Sequence, residues 1–91
     1  MKNISIKVKN SEGLHARPAS RLVELCHRYS SDIYLSFNGI RANAKNITEV
    51  LSLGVENGEV IGVSISGEDE QEVNQQLHYF FKNKFSKLRN Y

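Results

Sequence analysis

Gly13-Leu14-His15-Ala16-Arg17-Pro18-Ala19 is the segment in which residue types and spacing point most directly to chemistry. It sets an imidazole just before the free N–H groups of a helix beginning near Ala16, and a guanidinium in that helix's first turn. Pro18 suits the first turn, where a missing N–H is harmless. A helix N-terminus attracts anions through its unsatisfied N–H groups and its dipole. An arginine beside it adds charge-assisted, bidentate bonds to phosphoryl oxygens. The positive end favours a neutral imidazole with a free lone pair, which is a nucleophile. The same donors stabilise a dianion once a phosphoryl group is attached, so the segment is suited to holding a phosphohistidine. Gly13 lets the backbone bend close to the site. Histidine, arginine and proline also begin ordinary helices, and a lone histidine is commonly solvated surface, so the residues alone leave both readings open.

Other reactive side chains carry less. His27 falls on the solvent side of the first helix and His78 at the edge of an apolar stripe, while Cys26 lies on the apolar side and reads as a small core residue. A single cysteine excludes an internal disulfide framework, and the spacing of the three histidines matches no metal-ligand pattern. No metal and no cofactor is expected.

The elements that must position His15 follow from periodicity. Ile4, Ile6 and Val8 alternate with polar residues, a half-buried strand over about 2–9. Ala19, Leu22, Val23, Cys26 and Tyr29, with Leu25 widening the stripe, make an amphipathic helix over about 16–29. Ile33, Leu35 and Phe37 form a strand, and Asn38-Gly39 turns it into a short one at 40–43. Asn46-Ile47-Thr48-Glu49 has the form of a capping box opening a two-turn helix that ends near Gly54. Ile61, Val63 and Ile65 share one face of a strand over 60–66. Glu68, Asp69, Glu70 and Glu72 crowd the start of a last helix and Lys82, Lys84 and Lys87 its end, with Val73, Leu77, Phe80, Phe81 and Phe85 as the buried stripe. The order is β-α-β-β-α-β-α, an open-faced α+β sandwich with a four-stranded antiparallel sheet and three helices on one face. Residues 86–91 read as a frayed basic tail.

Composition bounds the rest. Ninety-one residues make one domain, and 40% hydrophobic content is too high for disorder. No apolar run approaches the roughly 18 residues of a membrane span, and Met1-Lys2-Asn3 leads straight into a strand pattern, so a cytoplasmic location is expected. Residues 1–46 carry eight Lys/Arg against three acids, residues 47–81 seven acids and no Lys/Arg, and residues 82–91 four bases. Such a chain presents a basic face to a phosphate-rich or acidic partner, but no nucleic-acid signature accompanies it.

The segment GLHARPAS closely resembles the active-centre signature of the HPr phosphocarrier family of the bacterial phosphoenolpyruvate-dependent phosphotransferase system. Asn43-Ala44-Lys45 followed by Leu51-Ser52-Leu53-Gly54 resembles the family's second signature region, and Gly67-Glu68-Asp69-Glu70-Gln71-Glu72 the start of its last helix. The resemblance covers about residues 2–85 and implies the HPr open-faced β-sandwich. It implies that His15 is phosphorylated at Nδ1 by Enzyme I and passes the group to IIA domains of sugar permeases. Arg17 and the backbone amides of Ala16 and Arg17 would hold the phosphoryl group. Leu14, Ser20, Arg21, Ile47, Thr48 and Leu51 would meet the partners, with Leu14, Ile47 and Leu51 as an apolar ring. Arg17, Arg21, Arg28 and Lys45 would steer acidic partners, and the carrier would be a monomer without turnover of its own.

The chain departs from the family pattern at identifiable positions. Asn46 stands where many members carry a regulatory serine, so the cap is kept and the phosphorylatable hydroxyl is lost. Glu24 and Glu49 replace basic or neutral residues on the partner-binding face, and Glu12 sits beside the active loop. Lys45 and Leu-Ser-Leu-Gly favour the sugar-type carrier, while Glu24 leans toward the related nitrogen branch. A purely regulatory module, whose phosphorylation state controls a target without feeding a permease, is the other reading.

Overall fold

The computed structural model describes residues 1–9 and 13–82. Glu12, Lys84, Phe85, Lys87 and the tail 86–91 lie outside the described residues. Along the chain run β1 (Lys2–Lys7), α1 (Ala16–Cys26), β2 (Asp32–Phe37), β3 (Ile40–Asn43), α2 (Ile47–Ser52), β4 (Val60–Ser66) and α3 (Glu70–Lys82). The expected element order is the observed one.

The strands form one four-stranded sheet in the order β1-β4-β2-β3, with every neighbouring pair antiparallel. The register explains its two faces. Ile6 pairs with Ile61, Leu35 with Val63 and with Ala42, and Ile33 with Ile65, so the alternating apolar residues of all four strands fall on one side and are buried. Ser5, Gly62, Ser36 and Arg41 continue the opposite, polar side. Leu22, Leu25 and Cys26 of α1, Val50 of α2, and Val73, Leu77, Phe80 and Phe81 of α3 join the same core. Stacking helices on a single face leaves the other sheet face open.

Boundaries differ from expectation where tertiary contacts compete with periodicity. α1 stops at Cys26, and Arg28 and Tyr29 N–H groups donate to Leu25 and Cys26 carbonyls in tightened i→i−3 bonds. The released Tyr29 carbonyl accepts from Lys45 Nζ at 2.7 Å, and His27 Nε2 lies 2.7 Å from the Lys45 carbonyl. Lys45 thus closes the end of α1, where a cation suits both the dipole and the unpaired carbonyls. Within α1 the stripe is centred on Leu22, Leu25 and Cys26, with Val23 and Tyr29 at its half-buried margin.

α2 is capped as its sequence implies, with Asn46 Oδ1 accepting from Glu49 N–H at 3.1 Å. The reciprocal bond of a capping box is displaced: Glu49 Oε1 accepts from Asn43 N–H at 2.8 Å, because the Asn46 N–H already donates to the Asn43 carbonyl. α3 begins at Glu70, one residue after Asp69, whose carboxylate accepts from the Ser30 and Ser31 N–H groups at 3.0 Å and from both serine hydroxyls. That carboxylate pins the α1–β2 connection to the start of α3.

Candidate functional site

His15 is the N-cap of α1. Its backbone is extended (φ −87°, ψ −167°), its carbonyl accepts from Ala19 N–H at 2.8 Å, and its side chain makes no capping hydrogen bond. The imidazole is therefore turned out, with 56% of its surface exposed. Pro18 has no N–H, and Ala19 is already paired, so the unsatisfied donors at this helix end are the amides of Ala16 and Arg17, which have no acceptor among the described residues. Arg17 is exposed in the first turn, and no acid stands in that turn to neutralise it. An exposed imidazole, two amides with no acceptor among the described residues and an exposed arginine all belong to one helix terminus, and such a terminus can receive an anionic group.

The loop entering α1 is held by backbone contacts. Gly13 adopts φ +62°, and a Cβ there would lie 2.4 Å from the Val55 carbonyl oxygen. This close approach lets Leu14 N–H donate to the same carbonyl at 2.9 Å. The next residues of the two segments then face each other, and His15 Nε2 lies 3.3 Å from Glu56 Oε1. A carboxylate oxygen only accepts, so this contact is satisfied by a ring that carries a proton on Nε2. Glu56 was not legible as a site residue: forty-one positions separate it from His15, and locally it reads only as the start of a turn.

The other expected site residues divide. Ile47 and Leu51 are exposed at 37% and 41% on α2, which packs against α1. Ser20 and Thr48 are exposed and Arg21 half-buried, all on these two helices. Leu14 does not join an exposed ring; at 1% exposure it is a core residue, drawn in by its hydrogen bond to Val55. Lys45 is half-buried and engaged with Tyr29, so it is not a free steering charge. Glu49 is occupied by Asn43 N–H. Cys26 offers no competing nucleophile, since burial pushes its thiol from 9.0 up to about 12. Among the described residues no group of three or more His, Cys, Asp or Glu could hold a metal ion, and no helix is long and apolar enough to cross a membrane.

The family described as "PTS HPr component phosphorylation site" matches residues 2–83. The phosphocarrier protein HPr of Xylella fastidiosa is 41% identical over 81 residues, covering 89% of this chain and 91% of that one. The HPr-like protein Crh of Bacillus subtilis is 39% identical over 72 residues, 79% of this chain and 85% of that one. A crystal structure of HPr from Thermoanaerobacter tengcongensis superposes with a TM-score of 0.90 at 40% identity, covering 93% of this chain and 96% of the other. An HPr dimer from the same organism has also been solved (TM-score 0.75, 39% identity, 96% and 100% covered), so the expected monomer finds no support among these relatives. The match runs from β1 through α3 and takes in the helix terminus at His15: this chain belongs to the HPr family of the phosphotransferase system.

Proposed function

We propose that this protein is a cytoplasmic phosphocarrier in which His15 accepts a phosphoryl group at Nδ1 from phosphorylated Enzyme I, ultimately from phosphoenolpyruvate, and donates it to a IIA component of a sugar permease. The observation that carries this reading is the exposed imidazole at the N-cap of α1 beside the amides of Ala16 and Arg17, which have no acceptor among the described residues. In the first transfer the Nδ1 lone pair forms a bond to phosphorus as the donor's P–N bond breaks. In the second the electron pair returns to Nδ1 as the acceptor's nitrogen takes the group. The open amides and the Arg17 guanidinium neutralise the phosphoryl oxygens in both directions. The chain performs no net reaction alone; it is a covalent intermediate between two partners.

A carrier must release what it binds. The exposed Ile47 and Leu51, with Ser20, Arg21 and Thr48 around them, offer a small apolar patch of the kind used by transient complexes. The test is the intact mass after incubation with phosphoenolpyruvate and a cognate Enzyme I. One acid-labile phosphoryl group is expected on the wild type and none on His15→Ala; a wild type that stays unmodified, or a variant that is still modified, would overturn the reading.

The similarity to Crh, a protein also described as Catabolite Repression HPr, favours a second reading in which phosphorylation controls a target protein. Onward transfer from the phosphorylated protein to a IIA domain separates the two. Sugar uptake requires that transfer, and a purely regulatory module does not.

A further inference from the structure

Glu56 meets His15 because of backbone register and not through the chance reach of two long side chains. The Leu14 N–H to Val55 carbonyl bond (2.9 Å) places the following residues, His15 and Glu56, side by side. The Glu56 loop is itself fixed at both ends of a tight turn: the Glu56 carbonyl accepts from Glu59 N–H at 3.2 Å, and Gly58, with φ +92°, donates to the Val8 carbonyl at 2.7 Å. The two heavy atoms, His15 Nε2 and Glu56 Oε1, are 3.3 Å apart.

We propose, on the carrier reading of His15 given above, that Glu56 is a positioning residue whose carboxylate keeps the ring proton on Nε2, directs Nδ1 toward the phosphoryl group and stabilises the ring cation formed in each transfer. When Nδ1 bonds to phosphorus and the donor's P–N bond breaks, the ring retains its Nε2 proton and becomes a phosphoimidazolium facing the carboxylate. When the group leaves, the P–N electron pair returns to Nδ1 and the ring is neutral again. The proton on Nε2 stays in place throughout. A carboxylate that orients an imidazole and stabilises its cation while remaining unprotonated is the division of labour seen in hydrolase triads. Because it touches the ring nitrogen opposite the reacting one, its charge faces away from the phosphoryl oxygens.

The test uses the full chain, phosphorylated by Enzyme I and phosphoenolpyruvate and then freed of both. Glu56→Gln removes the charge in a solvent-exposed turn, and Glu56→Asp keeps it; amide spectra verify that both fold. At one mildly alkaline pH the phosphoryl group should be lost from E56Q roughly twofold to fivefold more slowly than from wild type, because fewer rings carry the Nε2 proton that makes imidazole a good leaving group. E56D should stay within about twofold of wild type. In the unphosphorylated protein, 15N-edited spectra should show slower solvent exchange of the His15 Nε2 proton in wild type than in Glu56→Ala. Hydrolysis without a partner and ring-proton exchange are readouts that a docking or purely structural role would leave unmoved. Unchanged lifetimes in E56Q together with unchanged exchange in E56A would overturn this inference alone, whereas a wild type that accepts no phosphoryl group overturns the carrier reading and this one with it.

Discussion

Arg17 occupies the second position of α1, beside the two amides that the helix leaves open. Its side chain is exposed and takes no part in the core. Replacing it by alanine should leave the fold intact and slow phosphoryl transfer from Enzyme I by about tenfold to hundredfold, toward the loss measured when a preorganised oxyanion donor is removed. Lysine should recover only part of that rate, because a point charge lacks the planar fork that matches two phosphoryl oxygens. Time-resolved intact mass gives both numbers, and an R17A rate equal to wild type would assign anion binding to the amides alone. At the other end of α1, Cys26 is a buried, poorly acidic thiol and Lys45 is committed to the Tyr29 carbonyl.

At the scale of elements, the site depends on two helix starts. α1 begins at His15, whose side chain makes no capping bond, and its first two amides have no acceptor among the described residues, whereas α2 begins at Asn46, whose side chain satisfies the Glu49 amide. α2 has only six residues and carries the exposed Ile47 and Leu51, so its cap matters for how those side chains are presented as well as for stability. Asn46→Ala should lower unfolding stability by about 1 kcal/mol in urea titrations, and Asn46→Ser or Asn46→Asp by only a few tenths. A loss as large with Ser or Asp as with Ala would mean that the cap is not what Asn46 contributes. Glu49, read as the return arm of a capping box, instead binds Asn43 N–H and joins α2 to the end of β3.

At the scale of the molecule, the acidic start of α3 fastens distant parts of the chain. Asp69 accepts from Ser30 and Ser31, and Glu70 accepts from Gly67 N–H and from the Met1 ammonium at 3.0 Å. A Cβ at Gly67 would clash with Ser31 backbone, so the glycine permits this junction. The Ser31 hydroxyl and the Ser30 amide hold the Asp69 carboxyl below its ordinary 3.8, and the Gly67 amide followed by the chain terminus holds Glu70 below 4.5. A carboxyl whose folded value is depressed adds stability that is present above its unfolded value and lost as the pH falls through the folded one. The urea midpoint of wild type should therefore fall on acidification below about pH 4.5, and Asp69→Asn should flatten the lower part of that limb while reducing stability at neutral pH. Identical acid limbs in the two proteins would remove Asp69 from the account.

Periodicity, with the Asn38-Gly39 turn and the Asn46 cap, determined the order of the seven elements, the buried faces of β1, β2 and β4 and the stripes of α1 and α3, because alternation by two or by three and four, like a turn or a cap, is a property of neighbouring residues. The Asn46 cap and the anion-ready terminus at His15 were legible for the same reason: each is written within one turn of helix. What only the tertiary structure decided lies between segments remote in sequence. Leu14 belongs to the core because its amide reaches the Val55 carbonyl, and Lys45 belongs to the end of α1 because the β3–α2 connection passes there. Asp69 fastens the α1–β2 connection for an equivalent reason. Glu56 stands against His15 because Gly13, at φ +62° and without a Cβ, lets one loop settle onto another. Such contacts depend on chain crossings and hydrogen-bond register across the fold, which no local pattern encodes.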